Sequence, residues 1–120
     1  VDQTWVLAQI TQSGRQRMAE VAADQTSDWQ GLGVSILHRL VMETLLQHQD
    51  LPKPTYVHQV EEVITELEQD EAGDYSLAAL VMPATLEHIR QISEAGERMP
   101  AKSTYFYPKL LSGLVIHSLD

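Results

Sequence analysis

The residues best suited to chemistry lie near the carboxyl end, in "GERMPAKSTYFYPKLL", Gly96 to Leu111. This run holds Arg98, Lys102 and Lys109, three of the chain's eight basic residues, and Tyr105, Phe106 and Tyr107, and it has no acidic side chain after Glu97. In a chain of formal net charge -9 such a cluster reads as a place for a small anion. Arg98, Lys102 and Lys109 offer cationic donors, and Arg98 and Lys102 would stabilise anionic oxygens. Ser103 and Thr104 supply hydroxyl and backbone N–H groups, as residues at a loop-to-helix start commonly do. Tyr105 and Tyr107 share a parity in an extended segment and face one side together, either stacking on a planar ligand or packing at the edge of a core. The competing reading of the same residues is structural: a long aromatic loop that pins the last strand to the body.

Other motifs with fixed chemistry fail on residue type or setting. Gly96 to Ser103 has the outline of a phosphate-binding P-loop, but Ala101 stands where the second Gly belongs and the segment follows a helix instead of a strand. Gly31 and Gly33 lack the third Gly and the preceding strand of a dinucleotide fingerprint and read as a turn. Ser35 in "GVSIL" lacks the closing Gly of a nucleophile elbow. The five histidines, His38, His48, His58, His88 and His117, have no i, i+4 pairing, so no metal site is expected. His38 reads as a hydrogen-bonded side chain at the core edge. The acidic run Glu61, Glu62, Glu66, Glu68, Asp70 and Glu71 has the spacing of a solvated helix face. No catalytic residue and no cofactor is indicated.

The elements that must position the cluster follow from periodicity and breakers. "TWVLAQI", Thr4 to Ile10, predicts a partly buried strand, and a weak helix is expected from about Arg15 to Ala23. Ser27 or Asp28 would cap a stronger helix with Val34, Leu37, Val41 and Leu45 inward, ended by the prolines of "DLPKP", Asp50 to Pro54. "TYVHQ", Thr55 to Gln59, predicts a strand, and Val60 to Glu71 an amphipathic helix with Val60, Val63, Ile64 and Leu67 on one face. "YSLAALVM", Tyr75 to Met82, predicts a buried strand, which would complete a right-handed β-α-β unit. A helix from Thr85 to about Ala95 turns Leu86, Ile89 and Ile92 inward, and "SGLVIHSL", Ser112 to Leu119, is the last strand. The expected fold is α/β, a mixed sheet of about four to five strands with helices packed on it. An anion site would then be expected if Arg98 to Lys109 folds beside the strand end near Met82 and the start of the Thr85 helix.

Composition bounds the partners. A chain of 120 residues, 43% hydrophobic and 21% charged, suits one domain, residues 1–120, with a modest core. A pI near 4.8 argues against nucleic-acid and anionic-membrane binding, which need a surplus of Lys and Arg. The absence of Cys excludes disulfides and thiolate metal sites and favours a reducing, cytoplasmic setting. No apolar run approaches the roughly 18 residues of a spanning helix, and the opening "VDQTW" has neither signal-peptide character nor an initiator Met, which predicts a processed end or the edge of a larger chain.

The tail "AGERMPAKSTYFYPKLLSGLVIHSLD" closely resembles the C-terminal ending of the bacterial and archaeal proteins grouped as domain of unknown function 1015. The preceding "GDYSLAALVMPATLEHIRQISEAGERMP" is similar to the strand and helix before that ending, and a weaker similarity runs back through "VSILHRLVMETLL" to about Trp5. Members of that family are several times longer, so the resemblance implies that these residues are the C-terminal part of a larger protein whose N-terminal portion is their partner. That portion carries a Gly-His-His-Arg segment similar to the phosphate-contacting motif of ParB-like domains. His38-Arg39 lacks its Gly and its second His, so no such role passes to it. Two functions follow. In one, Arg98, Lys102, Ser103, Thr104, Tyr105, Tyr107 and Lys109 wall a phosphate- or nucleotide-type site of a larger cytoplasmic enzyme. In the other, the chain is a non-catalytic scaffold packing on the N-terminal half or on a second copy, with Tyr and Arg as interface anchors.

Overall fold

The computed structural model of the chain describes residues 4–47 and 54–108. Its first helix, α1 (Gln12–Val21), starts at Thr11, whose hydroxyl accepts the Gly14 N–H at 3.1 Å. Gly14 is required by crowding: a Cβ there would sit 2.9 Å from Cγ1 of Ile10, which folds back over the first turn. Met18 and Ala22 are fully buried at the end of this helix. The chain then turns, held by Gln30, whose amide donates to the carbonyls of Ala22 and Gln25 at 2.8 and 2.9 Å.

Thr26 caps the short α2 (Ser27–Gln30) by accepting the Trp29 N–H. α3 (Gly33–Ser35) follows and runs directly into a wider, π-wound segment, Ile36–Leu45. There the Leu46 N–H reaches back five residues to the Val41 carbonyl, and the Thr44 hydroxyl donates to the Arg39 carbonyl, also five back. Each such ring encloses one residue more than an α-helical ring, which shifts the side chains around the axis. The buried face is therefore Leu40 with Ile36 beside it, and Leu45, expected inward from a 3.6-residue period, is 64% exposed.

α4 (Val60–Glu68) begins with the Glu62 carboxylate accepting the N–H groups of His58 and Gln59. It buries nothing: Val60 is 43% exposed, and Val63, Ile64 and Leu67 are only half-covered. The Asp70 carboxylate then collects the N–H groups of Asp74 and Tyr75, and the Tyr75 hydroxyl meets that of Thr55, closing α4 and its flanks into one loop.

α5 (Leu86–Glu94) is capped reciprocally. The Thr85 hydroxyl accepts the His88 N–H, and Nδ1 of His88 accepts the Thr85 N–H, each at 3.2 Å. Its end is a Schellman turn: Gly96, at φ +75°, donates to the Ser93 carbonyl, and Glu97 donates to that of Ile92.

The core is two small clusters bridged by Trp29. One joins Met18, Ala22 and Leu40; the other joins Leu32, Val34 and the fully buried Ile92, with Ala84 and Met99 against it. Charged groups stay outside as short-range ion pairs such as Arg90 with Glu87 and Glu94.

The expected α/β sheet is overturned. Among the described residues no strand is present, and 45% of them are helical. Thr4 to Ile10, Thr55 to Gln59 and Tyr75 to Met82 run without ladder partners, so the β-α-β unit does not form. The physical reason is that an apolar, β-favouring run becomes a strand only when another backbone satisfies its N–H and C=O groups. In Tyr75 to Met82 the two Ala and one Ser give little β preference, and Leu77 and Met82 stand 73% and 81% exposed. The strand expected over Ser112 to Leu119 lies outside the described residues. Among the described residues no helix is long and apolar enough to cross a membrane.

Candidate functional site

The segment after α5 is aimed by contacts with α2. Glu97 is delivered by the Gly96 turn to the capping residue of α2, where its two carboxylate oxygens accept the Thr26 N–H at 2.6 Å and the Thr26 hydroxyl at 2.5 Å. One residue later the Trp29 indole N–H donates to the Arg98 carbonyl at 3.1 Å. The chain before α5 is aimed from the same side. A Cβ on Gly33 would lie 3.3 Å from the Met82 nitrogen and 3.4 Å from its carbonyl oxygen, so the start of α3 seats residues 81 and 82 closely.

Between these two fixed entries lies a hollow of about 350 Å³. One wall is Pro83, Ala84, Leu86 and Ile89; the other is the run from Lys102 to Phe106. The position expected of an anion site, beside Met82 and the start of the Thr85 helix, is thus where Lys102, Ser103, Thr104 and Tyr105 fold. The reason differs from the expected one, since among the described residues there is no sheet edge and the concavity lies between the approach to and first turns of α5 and the loop Lys102–Phe106.

Within the hollow the residues are unequal. Lys102 sits at φ +60°, and no carboxylate pairs with it among the described residues. Ser103 is committed internally: its hydroxyl donates to the Pro100 carbonyl at 2.7 Å and its N–H to the same oxygen at 3.3 Å. Thr104 is also in the lining. The Tyr105 ring stacks on His58, centroids 3.9 Å apart and planes 26° from parallel, which joins the approach to α4 to this wall. The carboxyl of Glu62 is held below its usual range, first by the His58 N–H, then by that of Gln59.

Two expected members, Arg98 and Tyr107, are not brought together with these. Arg98 is exposed and does not line the hollow; its carbonyl, taken by Trp29, is what the fold uses. Tyr107 does not share the face of Tyr105 and is 85% exposed, because the segment is not a regular strand and parity does not hold. Lys109 lies outside the described residues, as do His48 and His117.

His58 and the apolar wall from Pro83 to Ile89 carried no chemical signal in the sequence; the start of α5 was legible there, but not what would face it. A second hollow, about 150 Å³, is bounded by Ile10, Arg15, Met18, Ser27, Gln30 and Gly31. Among the described residues no group of three His, Asp or Glu side chains is placed to hold a metal ion.

No family model matches the chain, and no curated protein or solved structure is similar to it. The expected likeness to domain of unknown function 1015 finds no support in these comparisons.

Proposed function

We propose that the hollow between Pro83–Ile89 and Lys102–Phe106 binds a small anionic ligand, with Lys102 as its charge and Thr104 and Tyr105 as orienting groups. The observation that carries this reading is Lys102, which pairs with no carboxylate among the described residues, in the lining of a hollow of about 350 Å³, within the size range of small-molecule sites. In this reading the chain supplies one side of a site in a larger cytoplasmic protein, and the N-terminal portion implied by the family resemblance supplies the other.

The test is the thermal stability of the full chain against inorganic phosphate, AMP and simple carboxylates, repeated with Lys102→Ala. An anion that raises the melting temperature of the parent and not of the variant supports the reading. A rise that survives the substitution unchanged removes Lys102 and with it the site.

The scaffold reading is kept because of one observation. Leu77, Leu80, Val81, Met82 and Leu86 form a sequence-local run of exposed apolar side chains leading into the hollow. Such a run fits a surface covered by protein, either the N-terminal half or a second copy.

A further inference from the structure

Resting on the anion reading, we propose that the ligand of this hollow is a singly charged amphiphile: a carboxylate carried on a compact aromatic or branched aliphatic body, rather than a nucleotide or a polyphosphate. The lining sets the class. Pro83, Ala84, Leu86, Ile89 and Phe106 present hydrocarbon, and Tyr105 presents a ring already stacked on His58. Among the described residues of the lining one cation, Lys102, stands against this.

Two of the donors best suited to a phosphate are placed elsewhere or already engaged. Arg98, the natural bidentate partner for a phosphate, is outside the hollow, and both donors of Ser103 are engaged by the Pro100 carbonyl. Among the described lining residues that leaves Lys102 with the hydroxyl-bearing Thr104 and Tyr105, a single positive charge beside neutral donors, which suits one carboxylate better than a polyphosphate. Two further facts act in the same direction. The chain carries a formal net charge of -9, so its overall field opposes an anion in proportion to the anion's charge, and a polyphosphate is opposed several times more than a carboxylate. Leu86 and Phe106 stand 76% and 57% exposed on opposite walls, so a hydrocarbon body entering between them covers apolar surface that solvent otherwise meets. At about 30 Å³ per water-sized group, the hollow takes a ligand of on the order of ten non-hydrogen atoms.

The experiment is a titration of the full chain, followed by NMR or calorimetry, with four probes: 3-phenylpropanoate, the uncharged 3-phenylpropanol, inorganic phosphate and AMP. The expected order is phenylpropanoate tightest, with phenylpropanol about tenfold weaker, phosphate and AMP weaker still, and Lys102→Ala lowering phenylpropanoate affinity about tenfold. Leu86→Ser, at an exposed position, is expected to weaken phenylpropanoate without altering the melting temperature. If AMP or phosphate binds more tightly than phenylpropanoate and loses affinity in Lys102→Ala, the amphiphile class is overturned and the anion site stands. If phenylpropanol equals phenylpropanoate and Lys102→Ala changes nothing, or if no probe binds, both readings are overturned.

Discussion

Removing the carboxylate of Glu97 should loosen the whole carboxyl-terminal half of the described structure, because that side chain is the principal polar tie between residues 71 positions apart. Glu97 accepts two hydrogen bonds from Thr26, at 2.6 and 2.5 Å, and it is half-buried. A hydrogen bond to a charged group contributes about 1.5–3 kcal/mol when desolvated. Partial solvent access lowers each contribution, and the truncated site strands the Thr26 N–H only partly, so Glu97→Ala is expected to destabilise by about 2–3 kcal/mol in all. For a chain of this size that corresponds to roughly 8–12 °C in melting temperature. Glu97→Gln keeps one acceptor oxygen and should lose about half as much. The assay is urea unfolding followed by far-ultraviolet circular dichroism, with midpoints compared at equal slope. Glu94→Ala is the control, since its exposed ion pair with Arg90 contributes less than about 1 kcal/mol. The reasoning fails if Glu97→Ala unfolds at the same urea concentration as Glu94→Ala.

Two further outcomes test other parts of the structure. Ser35 is 1% exposed and its hydroxyl meets no hydrogen-bond partner among the described residues, so Ser35→Ala removes an unsatisfied buried group and improves helix propensity; a gain of about 1 kcal/mol in urea unfolding is expected, and a loss would show that the hydroxyl is bonded. The Asp70 carboxyl is held below its ordinary value of 3.8, first by the Tyr75 N–H and then by that of Asp74. A depressed folded-state value means that its contribution is full above that ordinary value and disappears as pH falls through the lower folded value, so the amide resonances of Asp74 and Tyr75 should shift together in that acidic window, and Asp70→Asn should abolish the step.

The elements were legible where the signals are local. The helix expected from Thr85 to about Ala95 coincides with α5 and its caps, since the cap at Thr85 and the Schellman turn at Gly96 each involve residues within five positions of one another. The amphipathic run of α4 was equally clear, and Val63, Ile64 and Leu67 are its half-covered positions, yet among the described residues nothing buries them fully. A helical period reports which face is apolar, not whether anything in the molecule will cover it. The strands failed for a related reason: an apolar run is compatible with a ladder, and the ladder depends on a second backbone elsewhere. Of the stripe Val34, Leu37, Val41 and Leu45, Val34 is buried and Leu37 and Val41 are half-buried, while Leu45 is turned out because the π winding of Ile36–Leu45 changes the angular period.

The candidate site was legible in part. Lys102, Ser103, Thr104 and Tyr105 do share one wall, as their clustering in sequence suggested. Arg98 and Tyr107 were grouped with them by proximity and assumed parity, and the geometry separates them. The commitment of Ser103 to Pro100 is a three-residue contact that the sequence permitted without requiring.

Residue order alone settled the charge balance, the absence of thiol chemistry and the turns and caps that close within a few positions, because those depend on residue identity and on short-range geometry. The fold decided that Thr26 would hold Glu97, that Gly33 would admit Met82, that Tyr105 would stack on His58, and therefore that a lysine would border an apolar hollow. Each of these joins segments tens of residues apart, and which such pairs form is fixed by the summed packing of two small cores around Trp29, a property that no local stretch contains.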